Sequence, residues 1–383
     1  MKGLLDVFTK SKHWILNRNQ GKVLKFYDKI IDKPLLEKWF TRISRFLIGG
    51  FIYSIKIEVN NYCQLKCKMC YLPKLNKPPK DLPMKVLNKL FSEISQYRIR
   101  IEILGGEPLL RKDIADVIYK AKHLAKSPYI TLYTNGINAT QDVSRKLKDA
   151  GLDGIIVTMI SHKKEVHDSF TEVPGSWEKT IEGIENLKNA GIKVFTFSAI
   201  HKENFKDYKA LYYFLKEDLK VHPLFYQYVP QQKDDPLIIN KKDWSEIKHW
   251  ILYEKETEHM NFVRNFYMLN GNACSGGNFV FTVKVDGTVQ PCPFVDDIPL
   301  GNIYKNDIWY IFKHRFNNPE LKTFKDIPAS CSNCTYKSVC SGGCPAGNKI
   351  LFGRYDQKDI RCLGPFNSSF DKEKVIDCVP TFF

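Results

Sequence analysis

The sequence has no long hydrophobic run and no targeting segment at its start. No stretch approaches the roughly twenty continuous apolar residues that a membrane-spanning helix needs. The N-terminus lacks the short apolar core and the small-residue cleavage site of a signal peptide. Low-complexity character is missing too, because 43% of the 383 residues are hydrophobic and 13% are aromatic. We therefore expect a soluble, cytoplasmic, globular protein with room for roughly two or three domains.

Cysteine is absent from residues 71 to 273, and the eleven cysteines of the chain lie on either side of that gap. Three stand at positions 63, 67 and 70, and the other eight fall between residues 274 and 378. Disulfides are rare in a reducing compartment. An odd number of cysteines in tight groups is more typical of metal ligands than of a disulfide framework. The spacing therefore predicts metal centres in two parts of the chain.

Acidic residues are outnumbered, with 58 Lys and Arg against 42 Asp and Glu and a net charge of +16. Residues 1–50 alone carry eleven basic side chains against four acidic ones, with apolar residues at broadly helical spacing. We predict a basic helical segment there. Such a segment can touch an anionic membrane peripherally or bind an acidic partner, but a helical cap with a solvated basic face is the simpler interpretation.

From residue 51 onward, strand-like and helical patterns alternate. The strand-like runs cover residues 51–59, 99–104, 129–133, 154–159, 192–200 and 222–228, and the helical stretches lie near 84–97, 113–126, 140–150, 176–190 and 204–219. Six strands alternating with helices predict an α/β fold, a partial (β/α)6 TIM-type barrel over residues 51–230. Residues 231–273 are predicted to be a helical linker. Residues 274–383 lack long periodic helices and predict a small cysteine-rich domain organised by metal.

Cys63, Cys67 and Cys70 follow the first predicted strand directly, so their thiols share one loop at the carboxyl end of the barrel. A tetrahedral zinc site normally has four ligands, and no fourth Cys or His lies within the usual short spacing. Three cysteines suit a [4Fe–4S] cluster whose fourth iron stays open to a substrate or cofactor.

This loop and three later segments resemble the radical SAM superfamily. The C-x3-C-x2-C spacing followed by an aromatic residue matches its signature, and a Gly-Gly-Glu-Pro run ends the second strand as in that family. The resemblance implies that the glutamate binds the amino group of S-adenosylmethionine (SAM), which a carboxylate beside two glycines can do. The positions that match cofactor-binding positions are Tyr71, Gly105, Gly106, Glu107, Thr134, Asn135 and Thr158.

The resemblance also implies an activity. SAM would chelate the open iron, and one electron from the reduced cluster would split it into methionine and a 5′-deoxyadenosyl radical. That radical would abstract a hydrogen from the substrate. An electron donor such as flavodoxin or ferredoxin is implied as a partner.

Seven cysteines near the C-terminus resemble the SPASM extension of this superfamily, which carries two auxiliary clusters. The resemblance therefore implies three [4Fe–4S] clusters in all. It assigns the distal auxiliary cluster to Cys331, Cys334, Cys340 and Cys362, and the proximal one to Cys274, Cys292 and Cys344. The proximal cluster is then one ligand short. Cys378 is not assigned to a cluster. Either the C-terminal tail folds back and brings it to one as a ligand, or it is not a ligand.

The substrate stays open at the level of sequence. Many members of this family modify ribosomal peptides (RiPPs), and a cationic surface suits a peptide maturase if the leader is acidic. A small molecule, a tetrapyrrole or a lipid-linked intermediate is the alternative. A non-catalytic zinc and nucleic-acid-binding protein is a third hypothesis. It fits less well, because the basic residues of the barrel region are dispersed among acidic ones, and we expect no nucleic-acid partner.

Overall fold

The structure is a computed structural model that describes residues 52–72, 78–256, 260, 263, 264, 267 and 273–381. The predicted basic segment at residues 1–50 lies outside the described residues. The rest forms two compact units. The barrel unit contains Tyr53–Gln231 and Val280–Arg315, and the cysteine-rich unit contains Gln232–Phe279 and Phe316–Phe383. Among the described residues, no helix is long and apolar enough to cross a membrane.

One nine-stranded sheet organises the barrel unit. Its strands are β1 (Ser54–Glu58), β2 (Arg100–Leu104), β3 (Ile130–Thr134), β4 (Gly154–Thr158), β5 (Lys193–Ile200), β6 (His222–Gln227), β7 (Val280–Val283), β8 (Thr288–Gln290) and β9 (Gly301–Asn302). They lie in the order β6-β5-β4-β3-β2-β1-β7-β8-β9. Neighbours from β6 to β7 are parallel, and β8 and β9 are added antiparallel. This confirms the predicted α/β partial TIM-type barrel.

Helices follow most of these strands. In chain order they are α1 (Met84–Ile94), α2 (Ile114–His123), α3 (Gln141–Asp149), α4 (Lys164–Thr171), α5 (Ser176–Asn189), α6 (Tyr208–Tyr213), α7 (Lys241–His249), α8 (Ile308–His314), α9 (Pro319–Lys325), α10 (Lys337–Cys340), α11 (Pro345–Phe352) and α12 (Val375–Cys378). The helix α4 lies between β4 and β5, where the sequence pattern predicts no helix. Its C-terminal residues Phe170 and Thr171 bind the backbone of the cysteine loop.

The strand β7 adds part of the C-terminal region to the barrel sheet. The sequence pattern assigns all of residues 274–383 to a separate cysteine-rich domain, whereas Val280–Arg315 belongs to the barrel unit. The cause is backbone pairing, since β7 runs parallel to β1 with Ser54 opposite Val280 and Ile57 opposite Val283. Within Val280–Arg315, the ring of Phe281 on β7 packs edge to face against that of Phe312 on α8, with 5.7 Å between the ring centres.

The segment predicted as a linker is helical but packs inside the cysteine-rich unit. In α7, the Trp244 indole donates to the Pro380 carbonyl at 2.7 Å. The Lys248 ammonium donates to the carbonyls of Ile376 and Val379, at 2.6 Å each. Both side chains are buried. They satisfy carbonyl groups of the C-terminal tail, so residues 232–256 belong to that unit's core.

Candidate active site at the carboxyl ends of the strands

The loop after β1 carries three cysteines, Cys63, Cys67 and Cys70, none of which is in a disulfide. Two backbone N–H groups of the loop, at residues 66 and 68, donate to the last carbonyls of α4. Burial, together with the neighbouring thiols Cys63 and Cys70, raises the pKa of Cys67 to about 12. The three sulfurs therefore lie within electrostatic range of one another. Binding to a metal reverses this shift, because a coordinated thiol loses its proton.

The donor set fits an iron–sulfur cluster. Among the described residues, no three Cys, His, Asp or Glu side chains lie close enough together to share one metal ion. A [4Fe–4S] cluster takes one thiolate per iron, so its ligands spread over a wider volume than those of a mononuclear zinc site. Three cysteine thiols on one loop match that requirement.

The end of β2 is joined to the start of the cysteine loop by its backbone. The N–H of Gly106 donates to the Asn60 carbonyl at 3.0 Å, and that of Glu107 donates to the Tyr62 carbonyl at 2.8 Å. A Cβ on Gly106 would stand 2.1 Å from the Tyr62 oxygen, and one on Gly105 would stand 2.2 Å from the Asn60 side-chain oxygen. Both glycines are thus required by close approach of two loops.

Glu107 is a buried carboxylate, 1% exposed. One oxygen accepts from the Leu109 N–H at 2.9 Å and from the Thr134 hydroxyl at 2.6 Å, and the other accepts from the Asn135 N–H at 2.7 Å. Burial raises its pKa, and the hydrogen bonds partly offset this. In the described part of the chain, no basic side chain forms an ion pair with it. A buried anion held only by neutral donors fits an ammonium ligand.

Asn135 links the glutamate to the cysteine loop. Its side-chain amide donates to the Cys63 sulfur at 3.6 Å and accepts from the Gln64 amide at 3.2 Å. Thr134 and Asn135 both bind the carboxylate, and Asn135 also contacts the Cys63 sulfur. Thr158 ends β4 opposite Phe197 of β5, and no hydrogen bond among the described residues joins it to the other matched positions.

Tyr71, a predicted site residue, contacts two buried charged residues, Glu58 and Lys284, that the sequence patterns do not single out. Its hydroxyl donates to Glu58 at 2.5 Å, and Lys284 donates to the same carboxylate oxygen at 2.9 Å. Glu58 and Lys284 are 1% and 2% exposed. In the sequence, each of these two residues is simply a charged residue at the end of an apolar strand. Such residues are also common where a strand ends in solvent, so the pattern does not predict a buried ion pair.

Four of the C-terminal cysteines gather in the cysteine-rich unit. Burial raises the pKa of Cys340, and the thiols of Cys362 and Cys331 raise it further. The thiols of Cys362 and Cys334 likewise raise the pKa of Cys331. All four are free. The residues assigned by resemblance to the distal cluster are therefore mutual neighbours.

The residues assigned to the proximal cluster are divided between the units. Cys274 and Cys344 lie in the cysteine-rich unit and interact electrostatically, whereas Cys292 belongs to the barrel unit. Lys325 of α9 donates to the Cys274 carbonyl at 2.8 Å and holds that backbone in place. The buried thiol of Cys378 lies beside the Tyr336 hydroxyl and within electrostatic range of Cys334, on the side of the distal group.

Family models match both parts of the chain. The radical SAM superfamily model matches residues 57–215, and the model of the iron–sulfur cluster-binding SPASM domain matches residues 274–335. Together they cover more than half of the sequence. They contain the three-cysteine loop, Glu107 and the first C-terminal cysteines.

Curated relatives align over most of the chain. An AdoMet-dependent heme synthase of Methanosarcina barkeri is 24% identical over 335 residues, which cover 80% of this chain and 95% of that protein. The mycofactocin maturase MftC of Mycolicibacterium smegmatis is 22% identical over 338 residues, with coverage of 83% and 84%.

Solved structures share the fold at low identity. Streptococcus suis SuiB bound to S-adenosylmethionine gives a TM-score of 0.64 at 18% identity, covering 82% of this chain and 78% of SuiB. The protein anSMEcpe with bound AdoMet and a peptide gives a TM-score of 0.66 at 18% identity, and the match covers 85% of this chain and 96% of anSMEcpe. The chain belongs to the radical SAM superfamily, carries a C-terminal SPASM domain, and is an enzyme that uses SAM and [4Fe–4S] clusters.

Proposed function

We propose that this enzyme modifies a peptide by radical chemistry initiated at the site around Glu107. The observation that carries the proposal is the buried Glu107 carboxylate, held by neutral donors beside a loop with three cysteine thiols. When bound together, a reduced [4Fe–4S] cluster and SAM supply a 5′-deoxyadenosyl radical that abstracts hydrogen.

Each residue of the site has a defined part. Cys63, Cys67 and Cys70 hold three irons and leave the fourth open. Glu107 binds the ammonium group of SAM, because a desolvated carboxylate attracts a cation more strongly than a solvated one does. Thr134 and Asn135 orient that carboxylate through the hydrogen bonds they donate. Gly105 and Gly106 admit the close backbone approach, while Tyr71 and Thr158 border the bound cofactor.

The C-terminal cysteines hold two further clusters in this proposal. Cys331, Cys334, Cys340 and Cys362 bind the distal one, supported by their mutual proximity. Cys274, Cys292 and Cys344 bind the proximal one. A flavodoxin or ferredoxin delivers the electron.

A peptide substrate is supported by the charge inside the barrel and by the relatives. The interior cation Lys56 lies 3.4 Å from Glu102, and Lys284 lies 2.9 Å from Glu58. These cations are neutralised internally, so they offer little to a ligand with several carboxylates. Relatives include a mycofactocin maturase and a PqqA peptide cyclase, and SuiB has been crystallised with its precursor peptide SuiA.

A tetrapyrrole is the second candidate substrate. The specific observation is that three relatives at 22–24% identity are AdoMet-dependent heme synthases and another is an Fe-coproporphyrin III synthase. A tetracarboxylate of this kind would need basic side chains other than the two paired ones inside the barrel.

Anaerobic reconstitution tests the proposal. We expect about twelve irons per chain, and production of 5′-deoxyadenosine from SAM after reduction with dithionite. The triple variant Cys63→Ala/Cys67→Ala/Cys70→Ala should keep up to two clusters and lose SAM cleavage. Zinc in place of iron, or SAM cleavage by the triple variant, would refute the assignment.

The substrate is then tested on the active enzyme. Peptides encoded beside the gene and Fe-coproporphyrin III are incubated with enzyme and SAM, and products are followed by mass spectrometry. Loss of hydrogens from a peptide supports the proposal. Turnover of the porphyrin alone would reject peptide modification in favour of the second candidate.

A further inference from the structure

A buried ion pair spans the carboxyl ends of β1 and β7. Glu58 is the last residue of β1, and Lys284 directly follows β7. They face each other because the two strands are parallel and pair Ile57 with Val283. A buried ion pair is costly to desolvate and adds little net stability, so its stability contribution alone does not account for it.

Lys284 makes a second contact, to the loop that carries Cys292. Its ammonium donates to the Pro293 carbonyl at 2.7 Å, and Pro293 directly follows Cys292. The carboxylate of Asp296 lies 3.7 Å away at the exposed edge of the group. One ammonium thus binds both the end of β1 and the backbone next to a cysteine assigned to the proximal cluster.

The same group fixes Tyr71, the residue after Cys70. The Tyr71 hydroxyl donates to Glu58 at 2.5 Å, and the Lys284 ammonium stands 4.6 Å from the centre of the Tyr71 ring. The ring of Phe294 meets it edge-on at 5.3 Å. Glu58 thus holds the hydroxyl of Tyr71, Lys284 covers one face of its ring, and Phe294 packs against the ring as well.

We propose that Lys284 is a positioning residue that holds the Cys70–Tyr71 end of the cluster loop and the Cys292 loop in a fixed arrangement. The inference rests on the proposed function, because it takes Cys70 and Cys292 as cluster ligands and Tyr71 as a neighbour of SAM. Lys284 acts through Glu58 and Pro293 and touches no ligand sulfur. Outer contacts of this kind orient ligands, and their loss typically costs 10–100-fold in affinity or activity.

The test is the variant Lys284→Met, which keeps the length of the side chain and removes the ammonium. After anaerobic reconstitution, iron content, the electron paramagnetic resonance spectrum of the reduced protein with and without SAM, and the dissociation constant of SAM are measured. We expect a changed spectrum in the presence of SAM and SAM affinity weakened about 10-fold. Lys122→Met is the matched control, since it breaks an ion pair of similar length, 2.8 Å to Asp153, between side chains that are partly exposed.

A second variant guards against misfolding. Lys284→Met leaves Glu58 buried without its cation, whereas Glu58→Gln/Lys284→Met removes both charges and should fold and bind iron as the wild type does. The double variant still lacks the bridge, so we expect it to keep the changed spectrum and the weakened affinity. Wild-type spectrum and SAM affinity in a folded, iron-loaded double variant would overturn the inference. A wild-type protein that binds neither iron nor SAM would instead refute the proposed function.

Discussion

Replacing Glu107 with glutamine perturbs the site at a single group of atoms. The two carboxylate oxygens accept three hydrogen bonds, from the backbone of Leu109, the hydroxyl of Thr134 and the backbone of Asn135. In glutamine, one oxygen becomes an NH2 group, which faces a backbone N–H in either orientation of the amide. At least one buried donor therefore loses its acceptor, whatever the rotamer.

The magnitudes follow from that geometry. An unsatisfied buried donor costs about 1–3 kcal/mol, and relief of the buried charge offsets part of this, so we expect unfolding free energy to fall by about 1–2 kcal/mol. Removing one partner from a buried charge pair costs roughly 2–5 kcal/mol. The affinity for SAM should accordingly fall by roughly 30-fold to several thousandfold.

Anaerobic calorimetric titration of SAM into the reconstituted protein measures the effect. The matched control is Glu102→Gln, the same substitution two residues before the end of β2, where the carboxylate accepts from Ser54 at 2.5 Å. We expect the Glu102→Gln variant to bind SAM about as tightly as the wild type does. If Glu107→Gln folds, loads iron fully and binds SAM as tightly as the wild type, Glu107 does not bind the ammonium group.

Three further outcomes are expected. Gly106→Ala should prevent loading of the cluster at the Cys63–Cys70 loop, seen in iron analysis as the loss of about four irons per chain, because its Cβ would stand 2.1 Å from the Tyr62 carbonyl oxygen; full loading would contradict the close approach. Burial lowers the pKa of His167 from 6.5 to about 4, with Asp168 opposing, so unfolding free energy should be largest above pH 6.5 and fall by up to about 3 kcal/mol towards pH 4. Urea titrations at several pH values should show this slope in the wild type and a flatter one in His167→Asn. Cys378→Ser should leave the iron content unchanged if this thiol is no ligand, and loss of about four irons would make it one.

The fold was predictable where its signals are local. Hydrophobic periodicity located the six strands of the barrel because alternation and helical spacing are read within one element. The helix α4 escaped prediction, since its eight residues are short and carry polar side chains over most of their surface. The sequence pattern does not show that Val280–Arg315 joins the barrel unit, because the sequence of a short strand does not specify which strand it will pair with.

The site divides in the same way. The sequence by itself determined the cysteine loop, the Gly-Gly-Glu-Pro turn and the family, because these ligands are close together along the chain. Only the tertiary structure showed that Glu107 is buried with no cationic partner among the described residues, and that Glu58 meets Lys284 across 226 positions of sequence. The physical reason is that such contacts depend on strand order, register and solvent exclusion, which arise only when distant segments pack together.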